Sequence, residues 1–162
     1  NIGDTVKFVS KNPYRIIISG RIKHFISAFG EHVINEEVEH ALKAATEAEF
    51  AEVVEFHVAP QVTPKQGELP CHEWFIEFGK EPANFENFQR IIDETMQKKN
   101  SYYRDLIEGK ILQPLKITSL PKDAFINYMK SQGKLGGQNK VPRLANDRMI
   151  AVELEKFNKM ID

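Results

Sequence analysis

Residues 72–78, His-Glu-Trp-Phe-Ile-Glu-Phe, constrain the fold more than any other stretch. Trp74, Ile76 and Phe78 fall on one side of an extended chain, so the segment is a strand with one strongly apolar face. Such a face must be covered by another layer. The flanking sequence offers that layer as helices. Asn35 can cap one whose apolar stripe is Val38, Ala41, Leu42 and Ala45, with Glu36 and Glu37 complementing the dipole of its first turn. Asn84 can cap another bearing Phe85, Phe88, Ile91, Ile92 and Met96.

The remaining segments follow the same two periods. Residues 3–9 alternate Val6 and Phe8 against Thr5 and Lys7, Lys11-Asn12-Pro13 makes a turn, and residues 14–19 form a second strand. Its run Ile16-Ile17-Ile18 predicts burial on both faces. Val54, Phe56 and Val58 alternate with Glu55 and His57 as a further strand. Residues 101–107 read as a short helix, and residues 112–120 as a strand that Pro114 places at an edge or bulge. Pro121 opens a helix carrying Phe125, Ile126 and Met129. Met149, Val152, Phe157 and Met160 mark a last helix. The expected class is α+β: a mostly antiparallel or mixed β-sheet with helices packed on it, in one domain spanning residues 1–162.

Charge and composition exclude several functions. The net charge of −1 gives no general attraction to nucleic acid or to an anionic membrane. No apolar run approaches the ~18 residues that a membrane span needs. The single cysteine, Cys71, cannot form an internal disulfide and fits a reducing, cytoplasmic setting. Cys71-His72 has no second pair at zinc spacing, so no metal site is expected. Gly136-Gly137 is too short for a phosphate-cradling loop, and no Gly-Lys-Ser/Thr follows. Phe25, Phe29, Phe56, Phe75 and Phe78 are expected in the core rather than as a base-stacking surface.

Between the last two helices lie residues 131–148, with three glycines, two lysines, two arginines and no apolar period. A structureless connection of this length in a small domain is commonly functional or disordered. Its glycines let the backbone approach a ligand, and its cations suit a phosphate or carboxylate. We expect this segment, with Lys140 at its tip, to reach into an active site. The bland alternative is a solvated loop lysine.

Three landmarks resemble one family. Gly3-Asp4 opens a strand, followed by Gly20-Arg21 and then by Ser27-Ala28-Phe29-Gly30-Glu31-His32 ahead of a helix. This resembles the hinge and small-domain opening of adenylate-forming enzymes. Residues 97–104 and Pro114-Leu115-Lys116-Ile117 look like the plant acyl-acid amido synthetases, the auxin-responsive Gretchen Hagen family. Gly137-Gln138-Asn139-Lys140-Val141-Pro142-Arg143 resembles that family's Gln-Tyr-Lys-x-Pro-Arg segment. His32 departs from the pattern, which carries Lys there in the plant enzymes.

The resemblance implies that residues 1–162 are the small, mobile C-terminal domain of a larger protein. A separate N-terminal domain would hold most of the site for ATP with Mg2+. A carboxylic acid and ATP would give an acyl-adenylate and pyrophosphate, and an amino acid would then displace AMP. In that scheme Lys140 is the catalytic cation. The nucleotide-binding candidates are Asp4 toward the ribose, and Arg21, His32, Gln138 and Arg143. Asp4 has a second reading as a strand-opening turn residue, and His32 as a structural donor. Arg21 and Arg143 could instead pair with Glu31 or Asp147, and for Arg21 the structural role is preferred. The expected partners are the N-terminal domain, an acyl acid and an amino acid, and an exposed domain-contact face would also let the fragment dimerise. The alternatives are the small domain of an acyl-CoA ligase and a non-catalytic protein-binding α+β module.

Overall fold

A computed structural model describes residues 4–21, 25–134 and 140–158, with only the backbone path described at residues 4, 5, 7 and 18–21. β1 (Asp4–Lys11) and β2 (Tyr14–Arg21) form the expected antiparallel hairpin, as a two-stranded sheet of their own. β3 (Phe25–Ile26) pairs with β4 (Val33–Ile34) in a second small ribbon that closes a loop just ahead of α1 (Asn35–Glu49). The main sheet is three-stranded, in the order β5 (Glu52–Gln61), β6 (Cys71–Lys80), β7 (Lys116–Leu120). β5 and β6 are antiparallel, whereas β7 runs parallel to β6. A parallel neighbour needs a long crossover. Here α2 (Phe85–Lys99) and α3 (Ser101–Glu108) supply it. α4 (Ala124–Ser131) and α5 (Met149–Asn158) complete the α+β domain.

β6 is covered on both faces. Trp74 and Ile76 join Val38, Ala41, Phe88, Ile92 and Tyr103 in a core under α1, α2 and α3. Phe75 points the other way, into a second core with Ala59, Leu120, Phe125 and Leu154 beneath α4 and α5. This is why residues 74–76 carry three large apolar side chains in a row: a strand between two layers has no solvent face. Asn84 caps α2 as expected, accepting from the Asn87 amide at 2.9 Å. Buried acids serve as ties between elements. Glu49, near the end of α1, accepts from the Asn84 amide (2.9 Å) and the Asn87 side chain. Glu77 accepts from the Asp123 and Phe125 amides at 2.8 and 3.2 Å and so caps α4 from the sheet.

Five expectations are corrected. Asn35 does not cap α1: it is the first helical residue, after Ile34, and its side chain donates to Glu39 at 2.6 Å. Ile16 and Ile17, on opposite faces of the hairpin, are 56% and 51% exposed rather than buried, because no layer of the described structure covers either of them. Val54 is 60% exposed, since a bulge between Val53 and Glu55 turns Val53 toward the core in its place. The last strand begins at Lys116, after Pro114, rather than at residue 112; its place at the sheet edge is the expected one. In α5 the inward face is Ala151 and Leu154, while Met149 and Val152 are exposed. The rotation of α5 is set by Arg148. Its guanidinium bonds Glu73 (2.7 Å), Glu155 (2.6 Å) and the Pro60 carbonyl (3.3 Å), pulling the 148–151–155 side of the helix against β5 and β6. Among the described residues no helix is long and apolar enough to cross a membrane.

Candidate functional site

Residues 140–146 run back along β5. The Val58 amide donates to the Arg143 carbonyl (2.8 Å), and the Val58 carbonyl accepts from the Ala145 amide (3.1 Å). Leu144 thereby lies beside Val58 as a parallel rung added to the sheet. Val141 and Leu144 are buried, one in each core. His57, on β5, meets the Pro142 carbonyl through Nδ1 at 2.6 Å. The segment expected to be a loop throughout is therefore fastened from Val141 onward. Val141 and Leu144, three apart, are too few to show a period, but each finds a core. Lys140 stands at the head of this strap, exposed, on the rim of a groove of about 540 Å³ lined by Tyr128, Met129, Val141, Met149 and Glu153.

Arg143 projects from the other side of the strap. It pairs with Glu39 (2.5 Å) and Glu55 (3.2 Å), and its guanidinium lies 4.9 Å from the centre of the Phe56 ring. The residues named above as its possible ion-pair partners are engaged elsewhere. Asp147 accepts from the Met149 amide at 2.9 Å, and Glu31 is bonded to His72. Arg143 is thus tied into α1 and β5 with its charge matched twice.

The strap and the glycine-containing loop, far apart in sequence, are stitched together by Asn146. Its side chain accepts from the Ser27 amide (2.7 Å) and donates to the Phe25 carbonyl (2.8 Å). Nothing in the sequence singled out Asn146, because an Asn in a polar loop reads as an ordinary turn residue. The loop turns at Gly30, whose φ of +91° favours glycine, and at His32, with φ of +47°. The His32 ring packs on Phe25, their centres 4.8 Å apart. The Ile34 amide at the start of α1 already donates to the Glu37 carboxylate at 3.1 Å. The anion-favouring helix terminus behind the His32 expectation is therefore served by the chain's own acid.

Asp4 and Arg21 are cross-strand partners at the open end of the hairpin. Gln138 lies outside the described residues. The sequence-selected positions thus divide into the hairpin end (Asp4, Arg21) and a strap–loop unit that brings Lys140, Arg143 and His32 onto connected backbone. Among the described residues no three His, Cys, Asp or Glu side chains gather as metal ligands.

Beneath the loop lies a buried polar network that the sequence did not reveal. Glu31 and His72 are both buried and bonded at 2.8 Å. The second Glu31 oxygen accepts from the Phe29 amide (2.8 Å). Asn100 donates to the Glu31 carbonyl (3.0 Å) and to Glu37 (3.1 Å) while capping α3. His72 stacks on Tyr103, whose hydroxyl donates to Asp93 at 2.7 Å. Burial pushes the Glu31 carboxyl up, but the His72 bond, the loop amides and the His72 charge outweigh it and hold it below its usual value. Tyr103 is pushed well up by burial and then by the Asp93 carboxylate, so its hydroxyl remains a donor.

Burial likewise pushes His57 below its ordinary value; the Pro142 bond and Asp147 oppose this, and Arg148 adds to it. A depressed histidine binds more protons unfolded than folded. Its contribution to stability is present above about pH 6.5 and is lost as pH falls toward the folded value. Glu31, also depressed, adds a second loss below about pH 4.5. The urea midpoint should therefore fall as pH is lowered from about 7 to about 5. The dependence should be flatter in His57→Asn; an equally steep fall in that variant would exclude His57 as its source.

Residues 36–149 match the GH3 family C-terminal domain. Among solved structures, the chain is similar to a GH3.15 acyl acid amido synthetase, with 19% identity and a TM-score of 0.74 over 96% of this chain and 30% of that one. It is similar also to an AtGH3.15 acyl acid amido synthetase in complex with 2,4-DB, with 20% identity and a TM-score of 0.70 over the same shares. At this identity the structural likeness is one of fold. The chain spans about 30% of the length of these solved structures. No curated protein sequence matches it. The match over residues 36–149, with the fold to support it, shows that this chain belongs to the GH3 (Gretchen Hagen) family, as its C-terminal domain.

Proposed function

We propose that this chain is the mobile small domain of an ATP-dependent acyl-acid amido synthetase. In the first step a carboxylate oxygen attacks the α-phosphorus of ATP and pyrophosphate leaves. In the second an amino-acid nitrogen attacks the acyl carbon, AMP leaves and the nitrogen loses a proton. The observation that carries the reading is Lys140, exposed at the head of a strap braced on β5 and stitched to the 25–34 loop. The first step brings two anions together, and a placed ammonium offsets both their repulsion and the charge that develops.

Most of the nucleotide, with its Mg2+, is assigned to a larger N-terminal domain, as the family resemblance implies, and this chain spans only about 30% of the length of the similar solved proteins. The hairpin supports such a partner. Val6, Phe8, Val9, Tyr14, Ile16 and Ile17 are exposed apolar side chains on one short ribbon, a surface suited to burial against another domain. Amide formation is preferred to thioester formation because the similar solved proteins are acyl acid amido synthetases.

The test is a panel of carboxylic acids, 2,4-DB among them, and amino acids, offered with ATP to a protein carrying both domains. AMP and an amide product are expected there, and no pyrophosphate release from the 162-residue chain alone. Robust turnover by the chain alone would overturn the small-domain reading. Acyl transfer to a thiol instead of an amine would replace it with an acyl-CoA ligase.

A further inference from the structure

His57 is fully buried in the middle of β5, between Phe56 and Val58, where an aliphatic residue would satisfy both the strand and the core. A histidine there is costly. Its Nδ1 must donate, since its partner is the Pro142 carbonyl, and Nε2 is left without a hydrogen-bond partner among the described residues. The neighbouring ring of Phe75, 6.4 Å away between centres, offers no acceptor in the ring plane. The one return for placing imidazole at this point is the 2.6 Å bond to Pro142, two residues from Lys140. The backbone of the strap is already held at Arg143 and Ala145 by Val58. The His57 bond extends that attachment toward Lys140, and Val141 adds a buried side chain beside it.

We infer that His57 is a positioning residue: it pins Pro142 and so fixes where the strap leaves the sheet and where Lys140 is presented. This rests on the reading of Lys140 as the catalytic cation. One consequence is mechanical. From Val141 onward the strap moves with β5, so Lys140 reaches a nucleotide by displacement of the domain as a body rather than by a swing that includes the strap.

Two substitutions separate the bond from the bulk. His57→Asn retains an N–H at the Nδ1 position, whereas His57→Leu fills the space with no donor. The first readout is amide exchange at Val58 and Ala145 in this chain, which involves no reaction. The second is kcat and KM for ATP in the two-domain protein, with any acid from the panel that turns over. His57→Leu should speed exchange at Ala145 and lower kcat about 10-fold or more with KM for ATP little changed, as misplacement of a reacting group does. His57→Asn should stay near the parent in both. If Leu disturbs the core, His57→Val, smaller and a good strand former, serves as the donor-free variant.

Exchange unchanged in the donor-free variant would overturn the latch. Faster exchange with unchanged kcat would overturn the positioning role, as would equal losses in the Asn and Leu variants. Lys140→Ala is run in parallel. If it slows adenylation while His57→Leu does not, the inference fails by itself; if it has no effect, the assignment of Lys140 fails first.

Discussion

Lys140→Ala, in a protein carrying both domains, is expected to slow acyl-adenylate formation by about 10²–10³. The magnitude is that of removing one preorganised electrostatic stabiliser from a site closed to water. The loss should fall mainly on the single-turnover rate and less on KM for ATP, because the charge it offsets is largest in the transition state. Lys140→Arg should recover only part of the rate, since a planar fork does not place its charge where a compact ammonium does. The second half-reaction, measured from preformed acyl-adenylate and an amino acid, should change less. The geometry makes this a clean substitution: Lys140 is exposed at the edge of the strap, so its truncation leaves Val141, Leu144 and the Val58 bonds in place. A single-turnover rate equal to the parent's would remove Lys140 from the mechanism.

The second large effect is on stability. His72→Leu should cost about 3–5 kcal/mol, because it strands the buried Glu31 carboxylate without its partner. Leucine is close enough in size to keep most of the packing on Tyr103 and Phe29, so the loss would be electrostatic rather than a cavity. Glu31→Gln should cost less, since an amide can still bond His72 and the Phe29 amide with no buried charge. A double substitution of Glu31 and His72 by apolar residues should recover much of the His72→Leu loss, the outcome expected when the penalty comes from an orphaned ion. Urea unfolding of the parent, His72→Leu, Glu31→Leu and the Glu31→Leu/His72→Leu double gives the coupling directly. If the singles add up to the double, the pair is not a unit and the loop is held by something else.

The legible parts of the fold were those where one local pattern met one cover. Trp74, Ile76 and Phe78 alternate, and the Val38–Ala45 stripe and the Asn84 cap are local, so each element could be found from its neighbours in sequence. The errors share a cause. Val54 alternates correctly but sits on a bulge, and Met149 and Val152 have helical spacing but the wrong rotation, fixed by Arg148 reaching to Glu73. Ile16 and Ile17 have the composition of a core without a layer over them. In the candidate site, the cationic segment and the glycine loop stood out by composition. Asn146, His57 and the Glu31–His72 pair did not, because each of their partners lies more than 40 residues away in sequence.

The sequence by itself determined the α+β class, the helix and strand positions that depend on local period, the family, and Lys140 as the residue to test. Only the tertiary structure decided which cations are committed, that the strap is part of the sheet, and that two distant loops form one unit. The physical reason is range. Propensity, capping and amphipathic period act over a few residues, whereas a buried hydrogen bond or ion pair depends on which surfaces the folded chain brings together.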